Sequence, residues 1–574
     1  MREIVSPLSG IRSPFGQRRD PYKVLGFKPG LVADFGAEYY RATGRTTFDG
    51  LTAFSRASNA TMVDSTGTLV TVGPDEPRIG HHVWNGSAWV NEGLLHESEA
   101  RTNLVTYSND LTQWTPSNTT VTADQEVGLS GAVDLDEITP NTSNTFHFIR
   151  LTSGSAATDY TLQVTAKAGA YHWLVMGDNL GSGAGNQRVA WFNLSTGVIG
   201  SKDDNSTGDV KDWGIDDLGG GLYRCWISLT SSNGFFDIGV SNADGVRSFI
   251  GDGSSSLFAG YAQFEAGSTP SSYIPTSGST ATRAAETLTI PSANLPWPTP
   301  RVIGEELVTN GTFDSDSDWA YTTGWSITGG KLEGVATGGI VEGNTQQLAT
   351  ISGKVYLLTL DVDAVNGNDV IINVGSSLGS NTLATIGSKS YLFVAAANDE
   401  TFQIRFSGAS TAGDTITIDN ISIREIDPLA VSIQMEGRMT YADTDNAEEV
   451  LFLRWAETVD DTEIELQLRT SSGRTGEPSF LQRNLAVADS VVGPTTTAYS
   501  PGILVPFNIA SRHGSTFING AVSGTALTED TTPVALPDLS ATDLELGYDY
   551  MGTIKTLRIW ADDIGDTGIA EASS

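Results

Sequence analysis

Short stretches in which apolar and polar residues alternate recur along this chain, each cut off by Gly, Asn or Asp. TITIDNISI (415–423), VSIQMEGRMTY (431–441) and EIELQLRT (463–470) have a period of two, which puts one strand face on a core and the other toward water. With 63 glycines and 12 tryptophans beside this pattern, the chain is expected to be all-β: tandem jelly-roll or β-sandwich modules behind an extended N-terminal arm. Its 574 residues suffice for three to five domains.

Charge and composition exclude several functions. Lys plus Arg minus Asp plus Glu is 33 − 68 = −35, which argues against binding nucleic-acid phosphates. The longest apolar runs, such as 391–397, fall far short of the roughly 20 residues of a membrane helix, so no membrane insertion is expected. Cys225 is the only cysteine, which rules out an intrachain disulfide and any cysteine-based zinc site. The opening residues carry charge without an apolar stretch and are not read as a secretory signal. Within 1–30, six basic residues (Arg2, Arg12, Arg18, Arg19, Lys23, Lys28) oppose Glu3 and Asp20, so 6 − 2 = +4. Pro7, Pro14, Pro21 and Pro29 disfavour helix there, giving a docking arm with Arg12, Arg18 and Arg19 as anchors.

Five segments follow from the punctuation: the arm at 1–30, a β adaptor at 31–100, jelly rolls at 101–290 and 301–426, and a sandwich at 427–574. In the adaptor, HHVWNGSAWV (81–90) predicts a hairpin at Asn85-Gly86. The two jelly rolls open alike: RTNLVTYSNDLTQWT (101–115) and GEELVTNGTFDSDSDWA (304–320) both run Leu-Val-Thr, a polar turn, then Trp. They close on strands at 257–265 and 415–423, and the four prolines of PSANLPWPTP (291–300) make a stiff joint. In the last segment PFNIASRHGSTFINGAVSG predicts turns at Arg512-His513-Gly514 and at Asn519-Gly520.

Several of these phrases resemble known families. FSRASNATMVDSTGTLVTV, EPRI and GLLHESEARTNLVTYSNDLTQW, between Phe54 and Trp114, look like the leader of tailed-bacteriophage virion proteins of the minor structural, tail-fibre and head-fibre kinds. The repeated modules are similar to jelly-roll carbohydrate-binding modules through Asn310, Gly311, Phe313 and Trp319, then Asp419, Asn420 and Ile421; the first copy lacks the Asp-Asn pair. The last segment resembles concanavalin-like or laminin-G-like sandwiches through FNIASRHGSTFINGAVSG and GTIKTLRIW. The resemblance implies a virion protein, assembled in the host cytoplasm and displayed on the particle exterior. It would dock on other virion proteins through the arm and bind host-surface polysaccharide, as a homotrimer. A purely structural head or tail decoration is the alternative.

No enzymatic motif emerges. GVSNA (239–243) has Ala243 where a nucleophile elbow needs Gly, and no β-helix repeat of the depolymerase kind is present. Asp314, Asp316 and Asp318 lack the Gly and Glu of an EF-hand loop. The jelly-roll resemblance instead implies a structural Ca²⁺ on Asp419 with Asn310 or Asp314. Because sugars offer apolar C–H faces to flat aromatics, the glycan-binding candidates are Trp173, Trp191, Trp213, Tyr321 and Trp325.

Overall fold

The computed structural model describes residues 20–574 apart from 153–158, 182–186, 205–206, 231–233, 339–342, 368–369, 444–448, 458–461, 472, 486 and 494–497. Nearly every element is a β-strand, and the ladders between named strands are antiparallel. The strands assemble into three sandwiches, a carrier and two jelly-roll modules, each with its own core.

The carrier is built from distant parts of the chain. One of its sheets runs Tyr39–Arg41, Leu31–Asp34, Met551–Trp560, Ala430–Tyr441, Gly502–Gly514, Ile518–Val522 and Thr525–Ala526, with Leu94–Glu97 also on Met551–Trp560. The other runs Ala53–Ser55, Thr287–Ile290, Leu544–Asp549, Glu449–Ala456, Glu463–Arg469, Glu477–Asn484 and Val487–Val492. Their apolar faces enclose Leu31, Phe35, Leu94, Leu288, Ile433, Trp455, Phe507 and Leu557.

This pairing redraws the expected boundaries. Residues 31–100 are not a separate adaptor but supply strands to both sheets of the C-terminal sandwich, and Thr287–Ile290 belongs to the carrier rather than to the first jelly roll. Local alternation gives a strand its two faces but not its partner, so Ala33 opposite Leu557 could not be read from either segment. A helix, Gly565–Ala572, also went unforeseen: it lays Ile569 and Ala572 on Ala510, Ala521 and Trp560, covering the outer face of the first carrier sheet.

Turns agree with expectation in one hairpin and differ in another. His82–Trp84 and Trp89–Asn91 flank a turn in which Asn85 Oδ1 accepts from the Ser87 and Ala88 N–H groups, and Gly86 has φ +90°. By contrast Gly502–Gly514 continues through Arg512-His513, and Asn519-Gly520 lies inside the strand Ile518–Val522. There glycine serves close approach, since a Cβ on Gly520 would meet the Phe480 ring at 2.0 Å.

Module 1 faces two six-stranded sheets around Leu162, Val164, Leu174, Phe192, Ile227, Phe236 and Phe264. Module 2 does the same with its two sheets around Leu332, Leu358, Ile372, Ile404 and Ile418. The repeated opening has a repeated purpose. Trp114 Nε1 donates to Tyr107 O and Trp319 Nε1 to Asn310 O, each at 3.1 Å and each from a buried ring. Leu104 N–H donates to Phe264 O (2.7 Å), as Leu307 N–H does to Ile423 O (2.9 Å), fastening opening to closing strand. The residue before each leucine caps the joint. Asn103 Oδ1 accepts from Val105 and Phe264 N–H, and Glu306 Oε1 from Val308 and Ile423 N–H.

Candidate functional site

Where module 1 meets the carrier, five buried charged residues converge: Arg56, Arg78, Glu97, Arg283 and Glu286. Glu286 Oε1 accepts from Arg56 Nη1 (2.7 Å) and Arg78 Nε (3.0 Å), while Oε2 accepts from the Glu97 N–H (2.8 Å). Arg78 Nη2 lies 2.9 Å from Glu286 and 2.8 Å from Glu97, and Arg283 Nε lies 3.1 Å from Glu97. From module 1, Ser272 gives Glu97 its N–H (2.8 Å) and its hydroxyl (2.5 Å). Burial pushes both carboxyls up, but the guanidiniums beside them, with the Ser272 bonds on Glu97, outweigh it and hold both below the usual carboxylate range. Both carboxylates are therefore spent on guanidiniums and neither is a free acid or base. The node is a clamp.

Three of the five clamp residues come from the leader phrases, Arg56 from SRAS, Arg78 from PRI and Glu97 from HE, while Arg283 and Glu286 lie beyond them. Arg101, from RTNL, donates to Ala266 O beside Gly267, whose φ of +124° favours glycine. A hairpin completes the seam. Trp84 Nε1 donates to Asp217 (3.2 Å) with its ring over Gly219, and Trp89 covers Gly67. Between carrier and module lies a cavity of about 110 Å³ lined by His81, Gln163, Thr165, Arg224, Tyr261 and Leu504 among others. It is well below the roughly 300 Å³ at which ligand pockets begin. Burial, with Arg78 close by, pushes the His81 ring down to about 3, so it is neutral, and its Nδ1 accepts from Val63 N–H (3.1 Å).

The candidate aromatics of module 1 meet at one glycine. A Cβ on Gly200 would touch Trp173 and Trp191, and Trp213 Nε1 donates to Gly200 O at 3.2 Å. Trp191 is only 1 % exposed and its Nε1 donates to Val246 O (3.1 Å), so it has no face to offer a sugar. Trp213 is half-buried, with Lys202 over its ring at 5.3 Å. Trp173 is half-buried too, paired across the strands with Asn193 and Ser241; exposed Asp244 also borders Gly200. In module 2, Trp325 is 5 % exposed against Phe406, ring centroids 5.0 Å apart, and belongs to the core. Tyr321 is half-buried and donates its hydroxyl to Asp316.

Ile421 N–H donates to Gly311 O (2.9 Å), which sets the opening turn beside the closing strand, but the proposed calcium ligands each have a local partner. Asn310 Nδ2 donates to Ser315 O (2.7 Å) and Ser317 O (2.9 Å), closing its loop on itself, and Asp314 accepts from Thr312. Asp419 accepts from Asn420 N–H and lies 3.8 Å from the Lys331 ammonium. Among the described residues no three His, Cys, Asp or Glu side chains gather as a metal site. Arg12, Arg18 and Arg19 lie outside the described residues.

The clamp was missed because its members lie up to 230 residues apart, as Arg56 and Glu286 do. The sequence held little signal, since the clamp residues sit in the mixed polar phrases FSRAS, DEPRI, HESEAR and TRAAET, and only the rule for buried charges bears on them. Such residues are almost never fully buried unless they pair.

No family model matches the chain, and no curated protein matches it. Among solved structures, the CBM40 of the Ruminococcus gnavus IT-sialidase bound to alpha2,3 sialyllactose is 14% identical, covers 26% of this chain and 83% of its own, and has a TM-score of 0.20. The CBM22-1–CBM22-2 tandem of Paenibacillus barcinonensis Xyn10C is 9% identical over 57% of this chain and 98% of its own, at a TM-score of 0.17. The secreted serine protease VesC from Vibrio cholerae is 11% identical over 62% and 58%, at 0.16. Likenesses this slight carry no argument about ligand or activity; the β-sandwich build rests on the strand pairing above.

Proposed function

We propose that this is a structural protein of a tailed-bacteriophage particle, a tail fibre or head fibre, whose jelly-roll modules bind host-surface glycans. The observation that carries glycan binding is Trp173. Its ring rests on Gly200 and remains partly open to solvent, its indole N–H has no hydrogen bond among the described residues, and Asn193 and Asp244 flank it. A flat apolar face beside amide and carboxylate groups suits the C–H face and the hydroxyls of a sugar ring. One such platform binds weakly, and a homotrimer present in many copies would gain by avidity. No catalytic role is proposed. The particle assignment rests on the leader phrases, which supply Arg56, Arg78 and Glu97 to the clamp.

The alternative, a decoration protein without ligand, draws on a different observation. The outer face of the module 1 sheet that carries Gln163, Gln263 and Glu265 is closed by the segment at Ser271–Ile274, whose groups bond to all three. A glycan array on the full chain separates the readings. Binding abolished by Trp173→Ala supports the platform, and an array without signal favours the decoration. Replacing Arg12, Arg18 and Arg19 with Glu should separately abolish incorporation into particles.

A further inference from the structure

We infer that the two jelly rolls are cassettes inserted into a carrier that folds without them. The three main cores segregate, while at the seam the carrier's Leu69 packs against the small Leu129–Leu135–Tyr261 cluster of module 1. The carrier core contains no residue between 98 and 286 or between 298 and 430, and the cores of modules 1 and 2 contain only their own residues. Both carrier sheets draw every strand from 31–97, 287–290 and 430–560.

Each module leaves and re-enters through adjacent antiparallel backbones. Arg101–Asn103 pairs with Ala281–Arg283, ending with Asn103 opposite Ala281. For module 2, Val302 stands opposite Ile426, and Asp427 N–H donates to Arg301 O at 2.9 Å. Such a pair of strand ends is what a two-residue hairpin closes. The clamp also stays with the carrier: Arg56, Arg78, Glu97, Arg283 and Glu286 all lie outside 104–280, and module 1 contributes Ser272.

The seams differ. Module 1 is held by the Thr61 hydroxyl on Tyr273 O (2.6 Å), by Leu69 N–H on Leu129 O (2.8 Å) and by Trp84 on Asp217. For the described residues of module 2, the hydrogen bonds and ion pairs stay within the module, the stalk pair Arg301–Asp427 apart. Module 1 is thus a docked cassette and module 2 a pendant one. Resting on the glycan reading in this one respect, ligand choice then resides in the cassettes and attachment in the carrier.

The test replaces 104–280, and separately 303–425, by Asn-Gly in the full chain. Both products should remain soluble and retain the carrier's own cooperative urea transition, followed by the near-ultraviolet signature of Trp455 and Trp560, beside that of the remaining module. Hydrogen exchange on the intact chain in sub-denaturing urea should show module amides opening apart from carrier amides. Collapse of either product, or exchange of all three bodies as a single unit, would overturn the inference. None of these measurements involves a glycan, so a blank array leaves the result standing.

Discussion

Replacing Glu286 by alanine is the sharpest probe of the clamp. The carboxylate accepts three hydrogen bonds at 2.7–3.0 Å, and both of its arginine partners, Arg56 and Arg78, have fully buried side chains. Glu286→Ala leaves Arg56 with carbonyl acceptors only, at Ser58, Val72 and Gly73, and leaves Arg78 and Arg283 to share Glu97. Breaking a buried pair from one side costs about 3–5 kcal/mol, because an uncompensated charge remains, and a domain has about 5–15 kcal/mol in total. Urea unfolding followed by tryptophan fluorescence should therefore show the carrier transition displaced by that amount. Salt should have little effect on the difference, since the node is out of reach of screening ions. Glu286→Gln should recover only part of the loss, keeping shape without charge. A cost below about 1 kcal/mol for Glu286→Ala, where exposed pairs fall, would refute the reasoning.

Three further outcomes follow. Acidification should destabilise the fold from about pH 6.5 downward, because burial holds His81 and His513 near 3, below the unfolded value. A depressed folded pKa gives stability present above the unfolded pKa and lost toward the folded one, here up to about 5 kcal/mol per histidine. Glu465, raised by burial and Glu463 to about 7, and Glu265 and Asp237, raised by burial, act in the opposite sense, so a pH-stability curve that stays flat or rises between 6.5 and 4.5 would contradict a balance set by the histidines. EDTA should leave the melting temperature unchanged, since Asn310, Asp314 and Asp419 are engaged separately, and a drop of several degrees abolished by Asp419→Ala would restore the calcium site. Gly520→Ala should cost at least about 1–3 kcal/mol by overpacking Phe480, whereas Gly86→Ala, with nothing within 4 Å, should cost only its left-handed backbone strain; denaturant midpoints compare the two.

Strand alternation and the duplicated opening made the all-β class and the two jelly rolls legible, because both are local patterns. Trp114 and Trp319 show how much a phrase can hold: spacing alone implied equivalent roles, and both indoles reach back to the start of their own turn. The closure of the carrier was not legible. Trp560 donates to Phe27 O from 533 residues away, and nothing local to either residue names the other. Gly565–Ala572 escaped because its eight residues include two glycines and are too few to be helical alone; packing of Ile569 and Ala572 holds them. Among the aromatic candidates, residue type could not tell Trp173 from Trp191. Both point outward from their sheet, but the turn reaching Val246 covers only the second.

The paired ribbon beneath module 1 has a mechanical consequence. A pull on a tethered module travels down Arg101–Asn103 and Ala281–Arg283 together, in the same direction, so the three rungs between them are not sheared. The load passes instead to the ends of the ribbon, where Glu97 and Arg283 enter the buried node. Tension on the N-terminal side falls on Leu31–Asp34, whose four rungs to Met551–Trp560 share any force directed along the strand. Tethered at both places, the molecule would carry strain through module 1 and the carrier sheets and leave the core of module 2 unloaded.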